Sequence, residues 1–368
     1  MANKDIKIIQ EQADGSLKEV AVTPRPNEVM GYDANRTPVT KAFGNAVPEK
    51  YARVYISTRD AASVAITVSY DPTAGATGVA HSINGATPTF NALADTANIN
   101  LNIPTNGGAV IQVDVWAATS ATSGPVGYLD RLDNFVTSSN KGYSVQLAEN
   151  PYMSYLRLCT DELDLSGFSA LKTLDLEEST LVSVDLTPCP ILDKLEITNC
   201  TSLSVLDVSA SAAPLLTQLR LGNTGLTEVD LANPSLTSSC VIVSNPSLVT
   251  ANFESLPATI GTVSVTNNAA LSGVVDLSHA TGFASLGVRD NPNVTGVLCG
   301  SDLSYQYAGF GSSVANNNLD LAALQAFIAS LQPTTTGLIK YGGNPGSAAF
   351  ETWLASNDDK GYVWVNGA

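Results

Sequence analysis

Carboxylates recur in this chain at a fixed interval: Asp164, Asp185, Asp207, Asp230 and Asp276, with Asn252 in the same series and Asp320 repeating the theme near the end. Acids at such spacing can bind divalent cations, dock a basic surface, or keep one face hydrated. A second series is chemically mixed: Arg157, Asp175, Glu196, Arg220, Ile242, Ser264 and Gly287. Graded from charged to apolar, it suits recognition of a partner better than proton transfer. There are only two histidines, His81 and His279, of which His81 has no acidic or cysteine partner nearby in sequence, and the five cysteines (Cys159, Cys189, Cys200, Cys240, Cys299) show no CxxC spacing. A Cys/His zinc site is therefore not expected, and the cysteines read as reduced. No P-loop, dinucleotide fingerprint, HExxH or GxSxG occurs. A glycosidase would need two opposed carboxylates, whereas most acids in the repeats already have a positional explanation. We expect no enzyme activity and no cofactor.

Both series belong to one repeated phrase, apolar-x-x-apolar-x-apolar, which comes in two alternating versions. One closes on Leu174/Leu176, Leu195/Ile197, Leu219/Leu221, Val241/Val243, Val263/Val265 and Leu286/Val288; the other on Val184/Leu186, Leu206/Val208, Val229/Leu231, Ala251/Phe253 and Val275/Leu277. Each version returns after about 22 residues, the mark of a stacked-coil solenoid. Strand side chains alternate, so the two apolar members point inward and the residue between them points out. That places the acidic series on one outer face and the mixed series on another, with neighbours about 5 Å apart. The acidic row (Asp185, Asp207, Asp230, Asp276) reads as a solvated face, with cation binding or docking of a basic surface as its functional alternative. The mixed row (Arg157, Asp175, Glu196, Arg220, Ile242) reads as a recognition face, with Ile242 exposed between Val241 and Val243. Asn199, Asn223, Asn245, Asn267 and Asp290-Asn291 follow the first arm, and an asparagine ladder between coils is expected there.

These repeats resemble the leucine-rich repeat family, in the bacterial variety found in cell-surface and phage proteins. The run from Leu216 through Leu231, LTQLRLGNTGLTEVDL, carries the likeness most fully, which extends over residues 151–345. The resemblance implies the fold and a role in recognition; such repeats serve many unrelated partners.

The expected class is mainly β: a solenoid preceded by a small β-sandwich or roll and closed by a small α/β cap. Residues 1–48 form an extended arm, 49–150 a β-rich domain, 151–318 the solenoid and 319–368 the cap. In the arm, Ile6-Lys7-Ile8-Ile9 and Val20-Ala21-Val22 flank Asp14-Gly15, a hairpin signal. Residues 24–40 read as extended and proline-broken. Met30 to Val39 resembles the N-terminal segments of phage fibre and appendage proteins, which implies docking onto a particle through Ile6, Ile8, Val29, Met30, Tyr32, Asp33 and Val39. Leu321, Leu324, Phe327, Ile328 and Leu331 fall at helical spacing behind Asp320, a natural N-cap, and clustered aromatics beyond them suggest a cap core.

The net charge of −16 is uneven. Residues 1–59 hold nine Lys+Arg against seven Asp+Glu, a balance of +2, leaving nine against 27, or −18, for the rest. Nucleic-acid binding is not expected of so acidic a body. No signal peptide and no apolar run of membrane-spanning length is legible. Together these readings point to a bacteriophage virion protein: a head fibre, capsid decoration or tail appendage, homo-oligomeric, docked to capsid or tail proteins by its arm and facing a host-surface protein or glycan. A bacterial leucine-rich-repeat adhesin is the alternative.

Overall fold

The computed structural model describes the backbone of residues 6–11, 17–22, 28–32 and 38–42, and from residue 52 onward all but 57–62, 71–74, 93–98, 105–110, 124–128, 134–141, 148–151, 161–162, 281–282, 284, 302, 304–311, 335–336, 358–360 and 368. One sheet of thirteen strands runs through most of it. Its first strands are antiparallel: Ile99–Pro104 pairs with Ser63–Tyr70, which pairs with Leu129–Asp133. The sheet then turns parallel, because each coil returns to the same side. Tyr155–Leu158, Thr173–Glu177, Lys194–Thr198, Gln218–Gly222, Ser239–Val243, Thr262–Thr266 and Ser285–Arg289 follow in order. Ser312–Ser313, Leu338–Lys340 and Val363–Val365 complete it.

A second sheet orders Gly142–Leu147, Ala52–Ile56, Ile111–Ala118, Gly78–Ile83 and Thr89–Ala92, all antiparallel. Its Val54, Val79, Val113 and Val115 lie in the same apolar core as Ile66, Leu101 and Leu132 of the long sheet. That core continues without interruption through the repeats to Phe350 and Tyr362. The antiparallel strands thus cover the first coil by extending its sheet, which leaves the coil no open edge there.

Two inward columns build the solenoid core. Leu156, Leu174, Leu195, Leu219, Cys240, Val263 and Leu286 form one; Leu158, Leu176, Ile197, Leu221, Ile242, Val265 and Val288 form the other, all buried. The register corrects one expectation. In Ser239–Val243 it is Cys240 and Ile242 that point inward, and Val241 that continues the row of Arg220. Ile242 is fully buried and is not part of the recognition face. Four consecutive apolar residues satisfy either register locally, and a shift of one residue exchanges the faces.

Each first arm ends on a residue in the left-handed region: Glu178, Asn199, Asn223, Ser244, Asn267, Asp290 and Asn316, with φ between 51° and 60°. Its N–H donates to the strand end of the next coil, as from Asn199 to the Gly222 carbonyl at 2.8 Å. The following residue turns inward and becomes Asn245, Asn268, Asn291 and Asn317 in successive coils, with Asn344 in the cap after Gly343 (φ 74°). These buried amides are chained: the backbone N–H of Asn245, Asn268, Asn291 and Asn317 donates to the side-chain carbonyl of the next asparagine at 2.9–3.1 Å. The expected single ladder is two adjacent ones, left-handed and buried, because bending the chain and satisfying its polar groups fall to neighbouring residues. In the earlier coils Ser179, Cys200 and Thr224 take the inward place, and the Cys200 thiol donates to the Leu176 and Thr198 carbonyls at 3.5 and 3.3 Å.

The cap closes the far end. Helix α1 (Leu321–Ser330) starts where the Asp320 carboxylate accepts from the Ala323 N–H at 2.8 Å, and it buries Leu324, Phe327 and Ile328. Helix α2 (Ser347–Asn357) brings Phe350 against Tyr341, Trp353 and Trp364, with ring centroids 5.1, 5.8 and 5.7 Å apart. These aromatics are committed to one another as core. In the arm, Ile6–Glu11 pairs with Leu17–Val22, and Glu28–Tyr32 pairs with Pro38–Ala42. The stretch read as simply extended is therefore a second hairpin. Among the described residues neither hairpin joins another sheet, so every arm strand has an unpaired edge.

Candidate recognition face

The outward side of the long sheet carries three parallel rows. The middle row is Asp133, Arg157, Asp175, Glu196, Arg220, Val241, Ser264 and Gly287. Beside it run Arg131, Tyr155, Thr173, Lys194, Gln218, Ser239 and Thr262 on one flank, and Glu177, Thr198, Gly222, Val243, Thr266 and Arg289 on the other. Four residues named from sequence, Arg157, Asp175, Glu196 and Arg220, are thus brought together. Arg131, Asp133, Glu177 and Lys194 were missed: alternation could have found Glu177 and Lys194, two positions from Asp175 and Glu196, whereas Arg131 and Asp133 join the rows only through strand pairing.

Charge alternates so closely that it forms a network. Arg157 reaches Asp175 at 3.1 Å and Glu177 at 2.7 Å; Glu196 receives Lys194 at 3.1 Å on one carboxylate oxygen and Arg220 at 3.2 Å on the other. Arg131 pairs with Asp133 at 3.4 Å and lies over the Tyr155 ring, 3.6 Å from its centroid. Burial pushes the Asp175 carboxyl up to about 6, against the pull of Arg157, with Glu196 and Glu177 adding to the rise. Burial also works against the Arg157 charge, but its bond to Glu177 and the field of Asp175 hold it above its ordinary value.

A carboxyl that takes its proton more readily when folded makes the folded state gain protons between the unfolded value, about 4, and about 6. This group's contribution is most favourable below about pH 4 and is lost as pH rises through 6. Asp175→Asn is expected to flatten that part of the urea-stability profile and to leave the pH 7–8 region parallel to the parent. An unchanged slope between pH 4 and 6 would place the proton elsewhere.

The acidic row lies on the second arms, and it is not the continuous stack expected. Among the described residues its strands form three separate pairs: Ser183–Val184 with Val205–Leu206, Glu228–Asp230 with Thr250–Asn252, and Ser272–Leu277 with Asn293–Cys299. Each acid has a local task. Asp164, Asp185, Asp207, Asp230 and Asp276 accept the N–H two residues on, at 2.8–3.1 Å, and so bend the chain at the end of the arm. The Thr187 hydroxyl adds a bond to Asp185, and these bonds hold its carboxyl below the ordinary range. Sequence reading placed these residues outward but missed the turn, for which Asp followed two residues later by Ser or Thr was the available signal at Asp164, Asp185, Asp207 and Asp276, with Ala232 in that place after Asp230. Among the described residues no group of three His, Cys, Asp or Glu is arranged to hold a metal ion.

The remaining reactive side chains are sequestered. All five cysteines are buried, and burial pushes Cys189 and Cys240 up to about 12 and Cys200 up to about 11. Such thiols remain protonated at neutral pH and are poor nucleophiles. The His81 ring lies 3.4 Å from the Asn91 amide, and burial lowers its pKa; His279 bonds the Leu256 carbonyl at 2.8 Å. Of the arm residues, Ile6 and Ile8 fall on the first hairpin and Val29, Met30, Tyr32 and Val39 on the second. Asp33 lies outside the described residues. No described helix is long and apolar enough to cross a membrane.

No family model matches the chain, and no curated protein does. Among solved structures, the functional domain of InlJ from Listeria monocytogenes, which includes a cysteine ladder, is similar at 20% identity and a TM-score of 0.24. The match covers 52% of this chain and 32% of that one, so this chain spans about a third of its length. The chain is mainly β, and its long repeat-built sheet is compatible with a leucine-rich-repeat-like solenoid.

Proposed function

We propose that this chain is a non-enzymatic recognition protein that presents the outer face of its solenoid as an adhesive module at the surface of a bacterial cell or a virion. The observation that supports it is the face itself: three parallel rows, ordered strand by strand, passing from a salt-bridged network to a hydroxyl-bearing neutral zone. Solenoids build extended binding surfaces in this way. The cell-surface adhesin reading rests on the repeat phrase. A second reading, a phage head fibre, decoration or tail appendage, is favoured by the arm, whose paired hairpins leave edges open to strand addition. In either setting the arm carries the near-neutral to basic share of an acidic chain and the solenoid points outward.

Copurification separates the settings: the adhesin reading expects the protein in the cell envelope, the virion reading in purified particles. For the virion reading, deletion of residues 1–45 is expected to leave a folded body that no longer joins particles, and the arm fused to an unrelated soluble protein to join them. Normal incorporation of the truncated chain would end that reading. Adhesion itself is checked by binding of the fluorescent full chain to host cells; absence of binding would reject the recognition role.

A further inference from the structure

The trough around Arg220 sits at the boundary between the two zones of the outer face. It has a volume of about 420 Å³, within the range of roughly 300–1,000 Å³ typical of small-ligand sites. Arg157, Asp175, Glu177 and Glu196 line its charged side, and Gly222 and Val243 the other, with Asn199, Asn223 and Ser244 beside them. Gly222 keeps it open: a Cβ there would come within 3.3 Å of both Thr198 and Val243. The Asn223 amide donates to the Asn199 carbonyl at 3.0 Å, which fixes the two side chains relative to each other.

Charge selects the ligand. Three carboxylates, Asp175, Glu177 and Glu196, and two guanidiniums, Arg157 and Arg220, line the trough, and each of the acids is already held by a cation: Asp175 and Glu177 by Arg157, Glu196 by Lys194 and Arg220. Arg220 is the network's last cation, engaged with Glu196 through Nε and about half exposed, its side chain at 45%. With Nε committed, the edge formed by its two Nη groups is the one suited to a planar carboxylate. On the far side of Arg220 the outward residues of the next three strands, Ser239, Val241 and Val243, then Thr262, Ser264 and Thr266, then Ser285, Gly287 and Arg289, include no carboxylate.

We infer that this trough binds a carboxylate-bearing saccharide, with the acid on Arg220, the sugar hydroxyls on the Asn199, Asn223 and Ser244 side chains, and the ring over Gly222 and Val243. The inference rests on the recognition role proposed above and names the ligand class of the same face.

The probes are a tetrasaccharide alternating glucuronic acid with N-acetylglucosamine and a sialylated trisaccharide, each compared with its carboxyl-reduced form by calorimetric titration of the full chain. At least one acidic form is expected to bind, with its reduced form weaker by about tenfold or more. Arg220→Gln is expected to lose a similar factor while melting as the parent does, and Arg220→Lys to fall between, since a point cation lacks the fork. Gly222→Val fills the trough and is expected to weaken binding; Asp276→Asn, on the second arms, is not. Binding by neither acid, equal binding of acid and reduced form, or an Arg220→Gln variant that binds like the parent would each overturn the site. Adhesion of the full chain to host cells that is indifferent to Arg220→Gln would overturn this inference and leave the recognition role standing.

Discussion

Ile242→Asp is expected to unfold the solenoid, whereas Val241→Asp is expected to leave its stability nearly unchanged. Ile242 is fully buried between Leu221 and Val265 of the adjoining coils. The substitution removes a well-packed side chain and leaves a carboxylate there with no cation to meet it. Loss of the packing alone costs about 2–5 kcal/mol, and the unpaired charge adds to it, a total of the order of a domain's entire stability. Val241 faces outward one coil beyond Arg220. An aspartate there meets solvent on one side and a guanidinium on the other, so the change is expected to stay within about 1 kcal/mol. Urea unfolding followed by circular dichroism measures both. Because coils are stabilised by their neighbours, the Ile242 variant is expected to lose strand signal over several coils together. Equal losses, or the reverse order, would restore the register in which Val241 and Val243 point inward.

The second large effect is expected at the buried ladder. The Asn268 amide donates to the Ile242 and Thr266 carbonyls at 3.1 and 3.2 Å, and its carbonyl accepts the Asn245 N–H at 3.0 Å. Asn268→Ala leaves those buried groups without their partner, at about 1–3 kcal/mol for each left unsatisfied. A total loss of about 3–5 kcal/mol is expected, less where the variant admits a bridging water. Hydrogen exchange gives a local check: the Asn245 amide, deprived of its acceptor, is expected to exchange faster than its neighbours. Asn223→Ala is the control. It removes one exposed amide bond, to Asn199, and a residue at ease with φ 51°, at a cost of about 1–2 kcal/mol. A smaller effect at Asn268 than at Asn223 would mean that the buried amides fill space without carrying the bends.

Sequence alone determined the period, the two arms of each coil and the inward identity of Leu174, Leu195, Leu219 and Leu286, because an apolar residue flanked by polar ones has one face on which it can be buried. It also determined α1 with its Asp320 cap, a signal confined to one helical turn. Where the local pattern admitted two answers, tertiary structure decided. Cys240-Val241-Ile242-Val243 can bury either pair, and only hydrogen bonding to the coils on both sides set Ile242 inward. The pairs Ser244-Asn245, Asn267-Asn268 and Asp290-Asn291 could not be divided by sequence into left-handed and buried roles, since small polar residues serve both and Asn267 and Asn268 are identical. The charge network joins strands of adjacent coils, and the antiparallel strands become one sheet with the first coil. Both depend on pairing between segments far apart in the chain. Alternation tells which way each side chain points; inter-strand register tells what it meets there, and register is settled by the best burial and hydrogen bonding summed over all coils.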